Sequence, residues 1–68
     1  MREIKIRDEY IKLGQALKLA GLVDSGVEAK YAIEEGKASV NGEVCAMRGK
    51  KIHAGDVVAF GGEEIRVR

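Results

Sequence analysis

Three residue types in this 68-residue chain could support covalent or metal chemistry, and they are Ser25, Cys45 and His53. Ser25 could act as a nucleophile, but Glu28 follows it at the spacing of a helix-capping box, which explains the serine structurally. Cys45 and His53 are the sole cysteine and histidine, too few soft ligands for a zinc site. No carboxylates are paired at a convincing catalytic spacing. The sequence therefore predicts no enzyme, no metal site and no cofactor.

The basic residues suggest a different chemistry, the binding of phosphate groups. Arg48, Lys50 and Lys51 surround Gly49, which would let a ligand approach the backbone closely. Between Lys37 and His53 the four cations are opposed by one acidic residue, Glu43. This local excess favours contact with nucleic acid over a merely solvated turn.

A second candidate for phosphate contact is the start of the helix that Ser25 is predicted to cap. Backbone amides at a helix N-terminus can bind an anion, and Lys18 or Lys30 would assist. Tyr31 could stack on a base, but we expect a tyrosine at this position to cover the edge of a small core.

Composition limits where such a protein could act. The net charge is +1, from 12 basic against 11 acidic residues, so any binding of nucleic acid must be local. The length and the 46% hydrophobic content predict one globular domain over residues 1–68. The N-terminus is unlike a signal peptide, and no apolar run approaches the ~20 residues needed to span a bilayer. We expect a cytoplasmic protein with neither a membrane nor a small-molecule substrate as partner.

The elements that would position these cations follow from hydrophobic periodicity. Ile4 and Ile6 alternate with charged residues and predict a strand. A helix is predicted from Leu13 to Ala20, ended by Gly21, with its polar side formed by Gly14, Gln15 and Lys18. A second helix begins after Ser25 and ends at Gly36, and its inward stripe is Ala29, Ala32 and Ile33.

Strands are predicted after the second helix. Ala38 and Val40 alternate before Asn41-Gly42, a strong signal for a tight hairpin. An irregular segment over 45–51, a turn at Gly55-Asp56 and two strands over 57–60 and around Ile65 and Val67 complete the chain. We expect an α+β fold in which two antiparallel helices pack on a small bent antiparallel sheet, with the N-terminal strand beside the C-terminal one.

The ordered set of motifs resembles the S4-like RNA-binding domain, also called the alpha-L motif. The elements that carry the resemblance, within residues 11–60, are Lys12-Leu13, Leu17, Gly21, Ser25, Ala29-Lys30, Ile33, Gly36, Val40-Asn41-Gly42 and Gly55-Asp56. The segment 13–20 is similar to the stand-alone bacterial members of the YaaA/YbcJ type. Two positions differ from the common pattern, because Gly14 replaces an Asp and Gly26 replaces an Arg.

The resemblance implies a non-catalytic, ribosome-associated protein that recognises structured RNA, such as rRNA, tRNA or a ribosome-assembly intermediate. The expected RNA-binding residues form one face of the helices and hairpin, and they are Lys12, Lys18, Ser25, Lys30, Lys37, Arg48, Lys50 and Lys51. Gly26 in place of Arg removes one phosphate-binding side chain, and the loop that carries Arg48, Lys50 and Lys51, here called the basic loop, is expected to compensate for it. The alternative is an adaptor that keeps the fold but binds a protein through Val27 and Tyr31.

Overall fold

The computed structural model describes residues 2–68 and contains two helices and two sheets. In chain order the elements are β1 (Arg2–Ile4), β2 (Tyr10–Lys12), α1 (Leu13–Leu19), α2 (Gly26–Glu34), β3 (Ala38–Val40), β4 (Glu43–Val44), β5 (Lys51–His53), β6 (Val57–Phe60) and β7 (Glu63–Val67). The predicted α+β class is confirmed. None of the helices in the described range is long and apolar enough to cross a membrane.

The larger sheet has five strands in the order β1-β7-β6-β3-β4. The first strand does pair with the last, as predicted, but the two run parallel, with Arg2 opposite Ile65 and Ile4 opposite Val67. The prediction of a wholly antiparallel sheet was therefore wrong, and the sheet is mixed. Alternation of apolar residues shows which face of a strand is buried, but it carries no information about the direction of its neighbour.

A separate two-stranded ribbon joins β2 to β5. These strands run antiparallel, with Ile11 opposite Ile52. Neither strand was predicted, and β5 begins at Lys51, inside the segment that was expected to be irregular. The ribbon is nevertheless part of the fold, because Ile52 is completely buried and packs in the main core. Each strand has a single aliphatic residue, at its centre, so no alternation of aliphatic residues marks it in the sequence.

The helix boundaries follow the predicted caps closely. Gly21 and Gly36 have φ of 77° and 80°, the left-handed conformation that ends a helix. The Ser25 hydroxyl accepts a hydrogen bond from the Glu28 amide at 3.2 Å, as a capping serine does. The Glu28 carboxylate accepts from the Asp24 amide at 3.3 Å, not from the Ser25 amide as the capping box predicted.

An aliphatic core lies between the helices and the larger sheet. Its completely buried side chains come from both helices, from the ribbon and from the sheet, and they include Leu13, Leu17, Ile33, Ile52, Val58 and Ile65. The predicted stripe of α2 is confirmed, because Ala29, Ala32 and Ile33 are all buried. The hairpin after β3 is also as predicted, since φ is positive at both Asn41 (51°) and Gly42 (89°).

Candidate nucleic-acid interface

The ribbon places two cations directly opposite each other. Lys12 on β2 faces Lys51 on β5, and opposed residues of an antiparallel pair project from the same face. The Lys51 Nζ lies 4.9 Å from the centre of the Tyr10 ring, and the Tyr10 and His53 rings are 6.1 Å apart. Like charges directly opposite each other are destabilising. The ribbon therefore brings two positive charges together on one exposed face.

The basic loop is attached to the first turn of α1. The carbonyl of Lys50 accepts a hydrogen bond from the Leu13 amide at 2.9 Å, and the carbonyl of Arg48 accepts from the Gly14 amide at 3.1 Å. Both donors belong to the first turn of a helix, where amides have no partner within the helix. The loop thus satisfies them and holds Arg48 and Lys50 next to the ribbon.

Gly14 was predicted on the polar side of α1, and this prediction was wrong. The residue is buried, and the side chain of Arg48 lies over it. A Cβ atom placed at Gly14 would be 2.7 Å from the Arg48 Cγ. The error arose because periodicity assigns a face from apolar residues alone, whereas here the aliphatic stem of an arginine from a distant loop provides the cover.

The ion pairs found among residues 2–68 do not involve the cations of the ribbon or of the basic loop. Among residues 2–68, side-chain ion pairs within 4.0 Å join Arg2 to Glu63, Lys37 to Glu35 and Arg68 to Glu3, and the His53 ring nitrogen lies 4.0 Å from the Asp56 carboxylate. The cations of the ribbon and of the basic loop are exposed, and none of them takes part in these pairs: Lys12, Arg48, Lys50 and Lys51. We call these four residues the basic cluster.

Comparison with known proteins identifies the family. The sequence model of the S4 domain matches residues 4–68, nearly the whole chain. This chain belongs to the S4 domain family. The stretch that carries the motifs, from the ribbon to the turn before β6, lies inside the matched range.

Relatives of this S4 domain include two small bacterial proteins. It is 46% identical over 59 residues to the Bacillus subtilis (strain 168) protein named "Probable ribosome maturation protein RlbA", covering 87% of this chain and 83% of the relative. It is 41% identical over 58 residues to the Escherichia coli (strain K12) protein named "Putative RNA-binding protein YbcJ", covering 85% and 83% of the two chains. The solution structure of YbcJ superposes with a TM-score of 0.76 at 37% identity, covering 98% of this chain and 86% of that one, and is described as revealing a motif involved in RNA binding.

The other residues expected in the interface lie outside the basic cluster. Lys37 pairs with Glu35 at 3.4 Å, and the Ser25 hydroxyl is engaged in capping α2. Lys30 is exposed on α2. Lys18 lines a groove between helix α1 and the segment after β1, and Lys5 and Arg7 line the same groove.

Lys5 and Arg7 were missing from the expected set. They had been interpreted as the polar positions of an alternating strand, yet β1 ends at Ile4. Their spacing of two residues matches the predicted strand and gives no separate signal for a groove. Sequence alone gives no indication that this segment lies against Lys18.

A groove beside the basic cluster is lined by Lys50, Lys51, His53 and Asp56. The Asp56 carboxylate accepts hydrogen bonds from the His53 amide at 2.7 Å and from the Asn41 side chain at 3.1 Å. The hydrogen bond from the His53 backbone amide is the largest cause of the lowered pKa of Asp56, and the hydrogen bond from the Asn41 side chain is the next. The charges of His53 and Lys50 act in the same direction. Asp56 is therefore an acceptor fixed by the fold. Among residues 2–68, no three His, Cys, Asp or Glu side chains come together as metal ligands.

Proposed function

We propose that this S4 domain is a non-catalytic cytoplasmic protein that binds structured RNA through the basic cluster. The observation that carries the proposal is the convergence of four exposed cations, free of the ion pairs found among residues 2–68, on one ribbon and its adjoining loop. Family membership and the names of the relatives support the choice of RNA as ligand.

Recognition rests on phosphates and on RNA shape. Lys12 and Lys51 act as point charges, whereas Arg48 can bind a phosphate through two parallel N–H donors. The chain has three aromatic residues, and one of them, Tyr10, lies against Lys51 of the cluster. With so few rings available for stacking, contacts to the backbone dominate over contacts to base edges.

The remaining expected residues act at the edge of this interface. Lys30 and the N-terminus of α2, with Ser25, extend it along the helices, and Lys18 extends it through the groove shared with Lys5 and Arg7. Lys37 contributes least, because its ion pair with Glu35 must first open. The proposed ligand is rRNA or tRNA, and the name of the Bacillus subtilis relative makes rRNA of a maturing ribosomal subunit the first to test.

The test compares two charge reversals of equal size by fluorescence anisotropy with a labelled structured rRNA fragment. Lys51 lies in the basic cluster, whereas Arg66 is exposed on β7, on the face of the sheet opposite Ile65 and Val67. Lys51→Glu should weaken binding by about tenfold, since a lost phosphate contact is combined with a new repulsion. Arg66→Glu should change it by less than about twofold. Equal effects of the two changes would exclude the proposed surface.

The salt dependence provides a second criterion. Four phosphate contacts should give a slope of about −3 for the logarithm of the binding constant against the logarithm of salt concentration. The double change Lys50→Glu with Lys51→Glu should make that slope shallower by about two. A slope near zero in the unmodified protein would show that phosphates are not the ligands.

A second candidate function is that of a protein-binding adaptor. Tyr31 does not cover the core as expected: it is 60% exposed, and Val27, one turn earlier on α2, is 62% exposed. These two side chains form an apolar strip that a partner could cover. Affinity purification with and without ribonuclease separates the candidates, because a protein partner should remain after digestion and an RNA-bridged one should be lost.

A further inference from the structure

The presence of glycine at position 14 requires an explanation. Gly14 is the second residue of α1, and glycine is a poor helix former. Its φ is not among the positive values found at other glycines, so the backbone there would accept alanine without strain. Conformational freedom is therefore not what the position needs. The remaining reason is space.

That space is occupied by Arg48. A Cβ atom at position 14 would lie 2.7 Å from the Arg48 Cγ and 3.4 Å from its Cδ. These atoms are the stem of the side chain, and the backbone behind them is held by the hydrogen bond from the Gly14 amide. A methyl group at position 14 would therefore force the whole Arg48 side chain into another conformation, because it would clash with the stem and not with the flexible end of that side chain.

Position 14 also faces the second helix. The same Cβ position at Gly14 is 3.8 Å from the Cβ of Ala29 on α2. On α2 itself, Gly26 brings no side chain, and the space around it is open to 4 Å. The stem of Arg48 thus lies against α1 close to where position 14 faces α2.

We propose that Gly14 is a positioning residue that holds the Arg48 side chain across α1, so that its guanidinium binds an RNA phosphate. The inference rests on the proposed function and adds to it a residue that has no charge and no side chain. It assigns to Gly14 an effect on RNA affinity that acts entirely through Arg48.

The test measures RNA affinity and its salt dependence for Gly14→Ala, Arg48→Ala and the double variant. Each single change should weaken binding by about tenfold, the usual consequence of losing one hydrogen-bonded charge. Gly14→Ala leaves the net charge unchanged, yet it should make the salt slope shallower by about one, because the Arg48 contact is lost. The double variant should bind no more weakly than Arg48→Ala alone.

Arg66→Ala is the matched control for Arg48→Ala, because it removes one arginine that is exposed on β7, outside the proposed interface. It should leave both affinity and salt slope unchanged. If Gly14→Ala also leaves both unchanged while Arg48→Ala and Lys51→Glu weaken binding, this inference is wrong and the proposed function stands. If none of these changes has an effect, the proposed function fails first.

A measurement on the unmodified protein covers the case in which Gly14→Ala does not fold. In nitrogen-15 NMR spectra, saturating rRNA fragment should shift the Arg48 Nε–H signal and slow its exchange with solvent. The Gly14 amide, hydrogen-bonded to the Arg48 carbonyl, should shift with it. Unchanged signals from both groups at saturation would overturn the inference.

Discussion

The side chain of Asn41 bridges two turns that are far apart in sequence, because its amide donates to the Asp56 carboxylate at 3.1 Å. Its carbonyl oxygen accepts from the Val57 amide at 2.9 Å. One asparagine therefore connects the hairpin between β3 and β4 to the turn before β6. This connection underlies the groove next to the basic cluster, which is lined by both Asn41 and Asp56.

The first prediction concerns pH. Because hydrogen bonds from His53 and Asn41 hold the folded-state pKa of Asp56 below its ordinary value of 3.8, the carboxylate stabilises the fold at neutral pH. This contribution should be complete above pH 3.8 and should disappear as the pH falls through the lowered pKa. Urea unfolding from pH 7 to pH 2 should show the loss, and Asp56→Asn should reduce it. Asp8→Asn, on an exposed bend, serves as the control, and an identical acid profile for both variants would contradict the assignment.

The second prediction separates the two roles of Asn41, its left-handed backbone and its bridging side chain. Asn41→Gly keeps the favourable backbone at φ 51° but removes the hydrogen bonds, and it should cost about 1 to 2 kcal/mol. Asn41→Ala loses both and should cost about 1 kcal/mol more. Thermal unfolding measures the difference. Equal losses would show that only the side chain contributes.

The third prediction is that Lys51→Glu has opposite effects on stability and binding. The change replaces a repulsion with Lys12 by a cross-strand ion pair, so the free energy of unfolding should rise by about 0.2 to 1 kcal/mol. RNA affinity should fall in the same variant. Urea unfolding at low salt, paired with anisotropy, measures both quantities. A variant that loses stability together with affinity would show that Lys51 has a structural role.

The fourth prediction tests whether the ribbon is an integral part of the core. Ile52 is completely buried, so Ile52→Ala should lower the free energy of unfolding by about 3 kcal/mol. Val44→Ala, at an aliphatic residue that is 69% exposed on β4, should cost less than about 0.5 kcal/mol. Chemical denaturation compares them. A small loss at Ile52 would mean that the ribbon opens independently of the sheet.

Local signals were sufficient for much of this fold. The cap at Ser25, the left-handed glycines at 21 and 36 and the hairpin at Asn41 each depend on a few adjacent residues, and each was predicted. The ribbon, the parallel pairing of β1 with β7 and the cover of Gly14 by Arg48 depend on residues far apart in sequence. No local pattern encodes such contacts.

In the candidate site too, features that depend on adjacent residues were predicted, and contacts between distant residues were not. The basic loop was recognised from its composition, and Lys12 from its place beside Leu13. That Lys12 faces Lys51 could not be predicted, because neither strand of the ribbon was identified. The association of Lys18 with Lys5 and Arg7 in one groove likewise follows from the path of the chain after β1.

The parallel pairing of β1 with β7 also determines the order in which the molecule can be completed during translation. Because β7 lies between β1 and β6, the first strand has no sheet neighbour until Glu63–Val67 has been synthesised and has left the ribosomal exit tunnel. The helices and the β3–β4 hairpin need only nearby residues and can form earlier. The N-terminal segment of the nascent chain therefore stays without its sheet partner until β7 has emerged.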